Sequence, residues 1–504
     1  MRTLANDPVL VVGAGIMGAG IAQVAAQAGH RVKLFDAREG AAAEAVSKLA
    51  ATLQSLVAKG KLDAAAADAA VGRIEALSAI EHAGVAGLVV EAIVEKLDAK
   101  RALFKQLEGI VAPSVVLATN TSSISVTAIA NGLQHPGRLV GMHFFNPVPL
   151  MKLVEVVSGL HTDATVAEAI FELSKRWGKV PVHARSTPGF IVNRIARPYY
   201  AEALALLQER ATTPEVLDAC LRAAGFRMGP CELMDLIGHD TNFAVTQSVY
   251  EANFYDKRYV PSLVQRELVE GGLLGRKSGR GFYTHPQGAP ALAATSVDEL
   301  QGGVALVIHG HGPVAERLWS SAQGLATSHS IQPLRRLESD WVGLTAGDAH
   351  LALTDGRSAD ERVAAFGAPD VAVFDWPVAA PCAAAAPLAY AVAARAAQRW
   401  QGQAPAWLAA LGYAPQCIAD TPGLVVARTV AMLINEAADA VQQGVCTPEG
   451  ADAAMKLGVN YPAGPFEWLQ QWGADAVLGV LDALDACYRG ERYRVSMLLR
   501  RQRP

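Results

Sequence analysis

The sequence predicts an open α/β domain followed by an all-helical one, and then the same pair again in eroded form. Three observations carry this expectation. A strand, a glycine-rich turn, a helix and a second strand follow one another over residues 9–36. Strands and helices keep alternating to about residue 186 and then give way to helical segments over 187–284. Finally, 178–194 recurs as 412–428, an offset of 234 (412 − 178) that also holds at Glu202/Glu436 and Thr213-Pro214-Glu215/Thr447-Pro448-Glu449. A recurrence at fixed offset reports duplication.

Val9-Leu10-Val11-Val12 is apolar throughout and reads as a buried strand. It runs into Gly13-Ala14-Gly15-Ile16-Met17-Gly18, a helix pattern stopped at Gly29, and a second strand over 31–35 ending at Asp36. G-x-G-x-x-G alone is weak, but strand, motif, helix, strand and acid together form the Rossmann dinucleotide fingerprint. Gly13 permits the tight turn, Gly15 the close approach of a pyrophosphate, and Gly18 the helix–strand packing, with the pyrophosphate on the helix N-terminus. Asp36 lies 23 residues past Gly13, where it can hold ribose hydroxyls. A carboxylate there repels a 2′-phosphate, so the cofactor expected is NAD rather than NADP, with Arg38 the residue that could soften the preference.

Residues 41–77 read as an alanine-rich helical stretch whose Lys48, Lys59 and Lys61 suit a solvated face. Strands over 87–90 and 115–118 end in Glu91-Ala92-Ile93-Val94-Glu95 and Thr119-Asn120-Thr121-Ser122-Ser123. Polar residues at strand ends are where open α/β sheets bind ligands. Glu95, Asn120 and Ser122 are therefore site candidates, loop capping being the alternative for each.

Gly141-Met142-His143-Phe144-Phe145-Asn146-Pro147 places a histidine at the end of an apolar run, and Glu155 follows twelve residues later in Leu153-Val154-Glu155-Val156-Val157. Strand alternation puts Val154 and Val156 on one face and Glu155 on the other. A carboxylate in such surroundings needs a partner, and one that accepts from a ring nitrogen fixes the tautomer and raises the basicity of the other nitrogen. Spacing alone leaves open a satisfied core histidine beside an unrelated glutamate. Past a helix over 165–177 and a strand over 178–182, Thr187 is expected as the N-cap and Pro188 as the first residue of a helix running past Glu202.

Residues 9–283 resemble the 3-hydroxyacyl-CoA dehydrogenases. The matching pieces are the glycine motif, Val90-Glu91-Ala92-Ile93-Val94-Glu95, Asn120-Thr121-Ser122-Ser123, Met142-His143-Phe144-Phe145-Asn146-Pro147, Lys152-Leu153-Val154-Glu155, Thr187-Pro188-Gly189-Phe190-Ile191-Val192-Asn193-Arg194 and Gly275-Arg276-Lys277-Ser278-Gly279-Arg280-Gly281-Phe282-Tyr283. The resemblance implies His143 as catalytic base, oriented by Glu155, with Ser122 and Asn193 as donors around the substrate's 3-oxygen and thioester. It implies Asp36, Glu95, Lys100, Asn146 and Lys277 as cofactor contacts, and more loosely a meeting of the Lys59 region with the CoA phosphates. The reaction implied is NAD-dependent oxidation of an L-3-hydroxyacyl-CoA in fatty-acid or phenylacetate breakdown.

The expected domains are 1–186 (NAD-binding), 187–284 (helical), 285–420 (eroded Rossmann-like, with linkers at 285–296 and 376–387) and 421–504 (second helical copy). Strands are expected in the third domain at 304–308, 350–353 and 370–374. Gly310-His311-Gly312 stands where a dinucleotide turn would be, but lacks a third glycine, and Ala427 replaces Asn193. A duplicated domain carries both halves of a two-fold interface, so 187–284 is expected to pack against 421–504. That leaves one site per chain, between 1–186 and 187–284, with further assembly possible through other surfaces. Longer members of the resembled family, including those of phenylacetate breakdown, share this layout.

A net charge of −4 argues against nucleic acid or an anionic membrane as partner. The six cysteines show no Cys-x-x-Cys spacing, so neither metal site nor disulfide framework is expected. With no apolar run of bilayer length and no leader pattern, a cytoplasmic setting is expected. Two alternatives stand beside the main reading. The first is a dehydrogenase of free hydroxy or sugar acids on the same plan, and the second a non-catalytic structural protein.

Overall fold

The computed structural model describes residues 4, 6–292, 296–300, 304–329, 331–377 and 385–502. The chain divides into two compact units, Met1–Arg194 with Ala440–Asn460, and Ile195–Asp439 with Tyr461–Pro504.

The first unit is built on strands β1 (Val9–Val12), β2 (Val32–Phe35), β3 (Ile74–Ala76), β4 (Leu88–Glu91), β5 (Val116–Thr119), β6 (Leu139–Phe144), β7 (Leu153–Ser158) and β8 (Val180–Arg185). They form one sheet in the order β3-β2-β1-β4-β5-β6-β7-β8. Neighbours run parallel except β6 and β7, which are antiparallel. The central strands are buried on both faces, which is why they read as unbroken apolar runs. Helices α1 (Ile16–Gln27), α2 (Ala41–Ala58), α3 (Ala64–Gly72), α4 (Leu97–Glu108), α5 (Val126–Ala130) and α6 (Ala164–Arg176) belong to the same unit. Ile21, Leu53, Val90, Val140, Ile170 and Leu173 sit in its core.

Two local expectations change. The helical reading of 41–77 is cut after α2, where Gly60 turns at φ +66°, and 74–76 form the edge strand β3, pairing Ile74 with Val32. Three residues on an edge leave no periodic pattern to detect. Thr187 is not a helix cap. It opens a turn with Phe190 at φ +47°, after which helix resumes as α7 (Val192–Ile195) and α8 (Arg197–Gln208). A carboxylate from β7 takes over the capping, as described below.

The second unit holds β9 (Leu306–His309), β10 (Pro333–Arg336), β11 (Gly343–Ala346), β12 (Ala349–Leu353), β13 (Val371–Phe374), β14 (Ala386–Val392) and β15 (Tyr413–Cys417), ordered β10-β9-β11-β12-β13-β14-β15. The three strands expected here correspond to β9, β12 and β13. β11 enters antiparallel between β9 and β12, which breaks the parallel run. The expected linker at 376–387 is shorter than foreseen, since 386–387 already belong to β14, while 378–384 and Cys382 lie outside the described residues. The linker at 285–296 is tethered at its start, where His285 Nε2 meets Asp235 at 2.8 Å, and 293–295 lie outside the described residues.

Within this unit the helical repeats meet reciprocally. Glu202 on α8 accepts from Arg428 Nε at 2.6 Å, Arg492 Nη2 at 3.0 Å and Tyr493 Oη at 3.0 Å. Glu436 accepts from Arg258 Nη1 at 3.3 Å and Tyr259 Oη at 2.6 Å. Arg258, Tyr259 and Glu202, each advanced by 234, give Arg492, Tyr493 and Glu436. Contacts in which residue i meets j and j meets i mark a two-fold relation. The helix Pro214–Ala223 packs on β14, and in the first unit its repeat, Pro448–Gly458, packs on β7 and β8.

Candidate active site

The glycine motif has the shape its three positions require. Gly13 sits at φ +106°, and a Cβ on it would lie 2.4 Å from the Ala92 carbonyl oxygen, so only glycine fits between β1 and the turn after β4. A Cβ on Gly18 would lie 1.8 Å from the Gly13 oxygen. A Cβ on Gly15 would meet nothing within 4 Å. Gly15 is the N-cap of α1 and no side chain caps that helix. Free amides, open space and a helix N-terminus suit a pyrophosphate. Asp36 ends β2 and accepts from Ala14 N at 2.7 Å and Arg38 N at 2.9 Å. The Arg38 guanidinium is engaged by Glu44 at 3.0 Å. A cavity of about 480 Å³ runs from Gly15 past Lys48 to Asn146, which is exposed on the turn after β6.

The polar strand ends converge on Glu95. Its Oε1 accepts from Thr121 Oγ1 at 2.7 Å, Ser122 N at 2.8 Å and Ser122 Oγ at 3.2 Å. Burial pushes this carboxyl up, but the Lys100 charge and the bonds from Thr121 and Ser122 outweigh it and hold the carboxyl below its ordinary range. Lys100 is itself buried, its Nζ 2.6 Å from Glu91 and 3.1 Å from Glu95. It reaches the site through Glu95. Asn120 Oδ1 accepts from Phe144 N at 2.8 Å and so fixes the end of β6.

His143 and Glu155 stand opposite each other in the β6/β7 register. The imidazole Nδ1 hydrogen-bonds Glu155 Oε2, and Glu155 Oε1 accepts from Ile191 N and Val192 N, each at 3.0 Å. Glu155 is fully buried, so these donors satisfy a carboxylate that water cannot reach. One oxygen thus caps α7 and the other orients the histidine. The His143 ring lies 4.5 Å from that of Phe145 and 5.8 Å from that of Phe190. With Nδ1 held as donor, Nε2 is the nitrogen free to exchange a proton. Asn193, on α7, donates through Nδ2 to the Ser122 carbonyl at 3.4 Å.

Two further candidates sit on other elements. Lys59 is exposed at the C-cap of α2. Lys277 belongs to the second unit, where its Nζ is engaged by Asp240. Sequence reasoning missed Glu91, which accepts from Lys100, from Thr119 Oγ1 at 2.6 Å and from Ile93 N at 2.8 Å. An acid directly behind the apolar run Leu88-Val89-Val90 was the available signal. It also missed the segment 440–460, where Val445 O accepts from Arg185 N at 2.9 Å and Gln443 Oε1 from Arg194 Nη1 at 2.8 Å. No local pattern announces that long-range contact. Among the described residues no group of side chains could hold a metal ion, and no helix is long and apolar enough to cross a membrane.

Residues 8–187 match the NAD binding domain of 3-hydroxyacyl-CoA dehydrogenases. Residues 189–285 and 423–503 both match the C-terminal domain of the same family, and 351–422 a reduced Rossmann-fold domain of 3-hydroxybutyryl-CoA dehydrogenase. The chain is 44% identical to 3-hydroxyadipyl-CoA dehydrogenase of Escherichia coli, over 98% of this chain and 97% of that protein. The crystal structure of an Escherichia coli 3-hydroxybutyryl-CoA dehydrogenase covers 98% of both chains at 43% identity and a TM-score of 0.87. A (S)-3-hydroxybutyryl-CoA dehydrogenase from Ralstonia eutropha covers 55% of this chain and 99% of its own, at 41% identity and a TM-score of 0.54. Matched over both helical copies as well as the dinucleotide-binding domain, the chain belongs to the 3-hydroxyacyl-CoA dehydrogenase family.

Proposed function

We propose that this chain oxidises an L-3-hydroxyacyl-CoA to the 3-oxoacyl-CoA. The observation that carries the reading is the buried His143–Glu155 pair, in which one glutamate oxygen holds Nδ1 and the other is fixed by two backbone amides. NAD, when bound, supplies the acceptor for the hydride leaving C3. His143 takes the hydroxyl proton at Nε2, and Glu155 stabilises the imidazolium that forms. Ser122 and Asn193 donate to the substrate's 3-oxygen and thioester, where charge develops in the reverse direction. Gly13, Gly15, Gly18, Asp36, Glu95, Asn120 and Asn146 hold the cofactor, with Lys100 acting through Glu95. Lys277 is a further cofactor contact and Lys59 a contact to the CoA phosphates. Asp36 sets the preference for NAD, and the engagement of Arg38 by Glu44 supports this by occupying the cation that a 2′-phosphate would need.

The relatives' names point to an acyl group that is short or ends in a carboxylate. Rates with NAD on 3-hydroxybutyryl-CoA, 3-hydroxyadipyl-CoA and the free hydroxy acids test this. Turnover of the CoA esters is expected, and turnover of the free acids alone would replace the reading. The setting inferred is the cytoplasm, with neither nucleic acid nor membrane as partner.

We infer further that the helical copies, 187–284 and 421–504, pair inside the chain as two subunits would. The reciprocal grips on Glu202 and Glu436 support this.

A further inference from the structure

The second half of the chain carries no counterpart of His143, yet its segment 440–460 belongs to the compact unit that holds His143. The helix Pro448–Gly458 turns a stripe of Ala451, Ala454, Met455 and Gly458 inward, all buried, at the i, i+3, i+4, i+7 spacing of one helix face. Three of the four are small, which lets the helix come close to β7 and β8. At its last residue the approach is close. A Cβ on Gly458 would lie 2.7 Å from Leu153 Cδ2, 3.0 Å from Val192 Cγ2 and 3.7 Å from Phe145 Cε1. Two of these neighbours touch the reacting pair. The Val192 amide donates to Glu155 at 3.0 Å, and the Phe145 ring lies 4.5 Å from the His143 ring. Just ahead of the helix, burial pushes the Cys446 thiol up to about 12, with Glu155 and Arg194 among the charges acting on it.

The geometry points to Gly458 as a positioning residue for the His143–Glu155 pair. By lacking a side chain it leaves Val192 in the place from which its amide holds Glu155 against the imidazole, with the Phe145 ring in ordinary contact range and packed against His143. The second half is then part of the catalytic apparatus rather than a passive scaffold. This rests on the proposed function, since it assumes that the pair performs the proton transfer.

The test is Gly458→Ala in the full chain. The added methyl presses on Leu153 Cδ2 and Val192 Cγ2, and shifting the Val192 amide loosens Glu155 and so weakens the His143–Glu155 hydrogen bond. The expected result is a fall in kcat on the order of ten- to a hundred-fold, with NAD affinity within about twofold of wild type. The imidazolium loses part of its carboxylate partner, so the acid limb of the pH–rate profile moves to lower pH. Cys446 and the charged groups acting on it, Glu155, Arg194 and Asp452, are unchanged by the substitution. Phe145→Leu removes the ring between Gly458 and His143 and is expected to lower the same limb by itself. In its background, Gly458→Ala should add less than it does alone, as coupled neighbours do. Titration of the His143 ring by NMR repeats the readout without turnover, so an inactive wild type would sink the proposed reaction and leave this inference still decided. An unshifted His143 titration in a folded Gly458→Ala chain overturns it. So does Phe145→Leu with the wild-type profile, whichever way Gly458→Ala folds.

Discussion

The two halves of this chain face the same structural demand and answer it with different residues. In each, a Thr-Pro-Gly turn bends the backbone through the left-handed region, at φ +47° for Phe190 and φ +49° for Leu424. Each then presents helix-opening amides that need an acceptor. In the first half Glu155 on β7 accepts from Ile191 and Val192, with one oxygen left for His143. In the second half Asp375 accepts from Val425 at 2.9 Å, Val426 at 2.6 Å and Ala427 at 2.9 Å. Strand register shows where Asp375 stands. Phe374 pairs with Tyr390, so the next step sets Asp375 opposite Ala389, and the Asp375 amide donates to the Ala389 carbonyl at 2.9 Å. Ala389 pairs with Gln416 as Glu155 pairs with Val182, and both members differ by 234. Ala389 therefore occupies the glutamate position, and Asp375 the histidine position.

The comparison separates structure from chemistry within one site. A carboxylate beneath the turn is required by the fold in both halves, because buried amides without acceptors cost about 1–3 kcal/mol each. The first half sets that carboxylate one strand further back, which opens a place for an imidazole between it and the substrate side. The second half brings the carboxylate forward into that place, and no imidazole stands there.

The sharpest break of the comparison is His143→Gln. It should cut turnover by about 10²–10⁴ and leave NAD binding and the unfolding midpoint near wild type, because Glu155 keeps its two amide donors. Near-normal turnover would mean that the first half works without its histidine.

The next largest effect concerns the reciprocal grips. Glu202→Ala leaves Arg428, which is buried, without its closest carboxylate. Breaking a buried pair from one side costs roughly 3–5 kcal/mol. Glu436→Ala should also lower the unfolding midpoint, but by less, because Arg258 keeps Asp439 as its closer carboxylate. A variant of either glutamate that unfolds at the wild-type midpoint would break the reciprocal relation between the copies.

Gly15→Val tests whether only the first half binds a dinucleotide. A Cβ there meets no protein atom within 4 Å, so the unfolding midpoint should stay near wild type, while NAD affinity drops on the order of a hundred-fold. The second half's turn, with Gly310 and Gly312 at φ +82° and +92°, follows β9 but lacks the third glycine. A stoichiometry of one NAD per wild-type chain is expected by calorimetry, and a second site surviving in Gly15→Val would overturn this.

The legibility of these features follows their range along the chain. The fingerprint and the β6 and β7 residues were readable because turn, alternation and motif lie within a few residues of each other. The place of Asp375 was not. His143 precedes Glu155 by 12 residues, whereas Asp375 precedes Ala389 by 14, so spacing does not carry over and only the strand register aligns them. The Thr187 cap was misread because its signal was local, while the true acceptor, Glu155, sits more than thirty residues back in another strand. The helix Pro448–Gly458 is legible as a repeat, but its docking on β7 and β8 is a tertiary fact without any local trace.

The smallest expected effect is a pH dependence of stability set by Asp375. Burial pushes the Asp375 carboxyl up to about 6, against the bonds from Val426 and Ala427 that pull it down. A carboxyl whose folded value lies above its unfolded one keeps its proton longer in the folded chain. Between roughly pH 4 and 6 the folded state therefore binds more protons than the unfolded state, and stability falls as pH rises through that window. The full loss is at most about 3 kcal/mol, since each tenfold change in proton affinity is worth about 1.4 kcal/mol. Asp218, pushed up to about 6 by its own burial, titrates in the same window, so the wild-type slope alone is not diagnostic. Asp375→Asn removes one titration and leaves the other. Its urea midpoint at neutral pH will be lower than wild type where amide capping is poorer, but its change between pH 4.5 and 7 should be smaller than the wild-type change. Identical pH slopes in the two proteins would show that Asp375 keeps its charge throughout. The forward carboxylate would then be as well accommodated as an ordinary one, and the second half would have lost its histidine without any electrostatic cost.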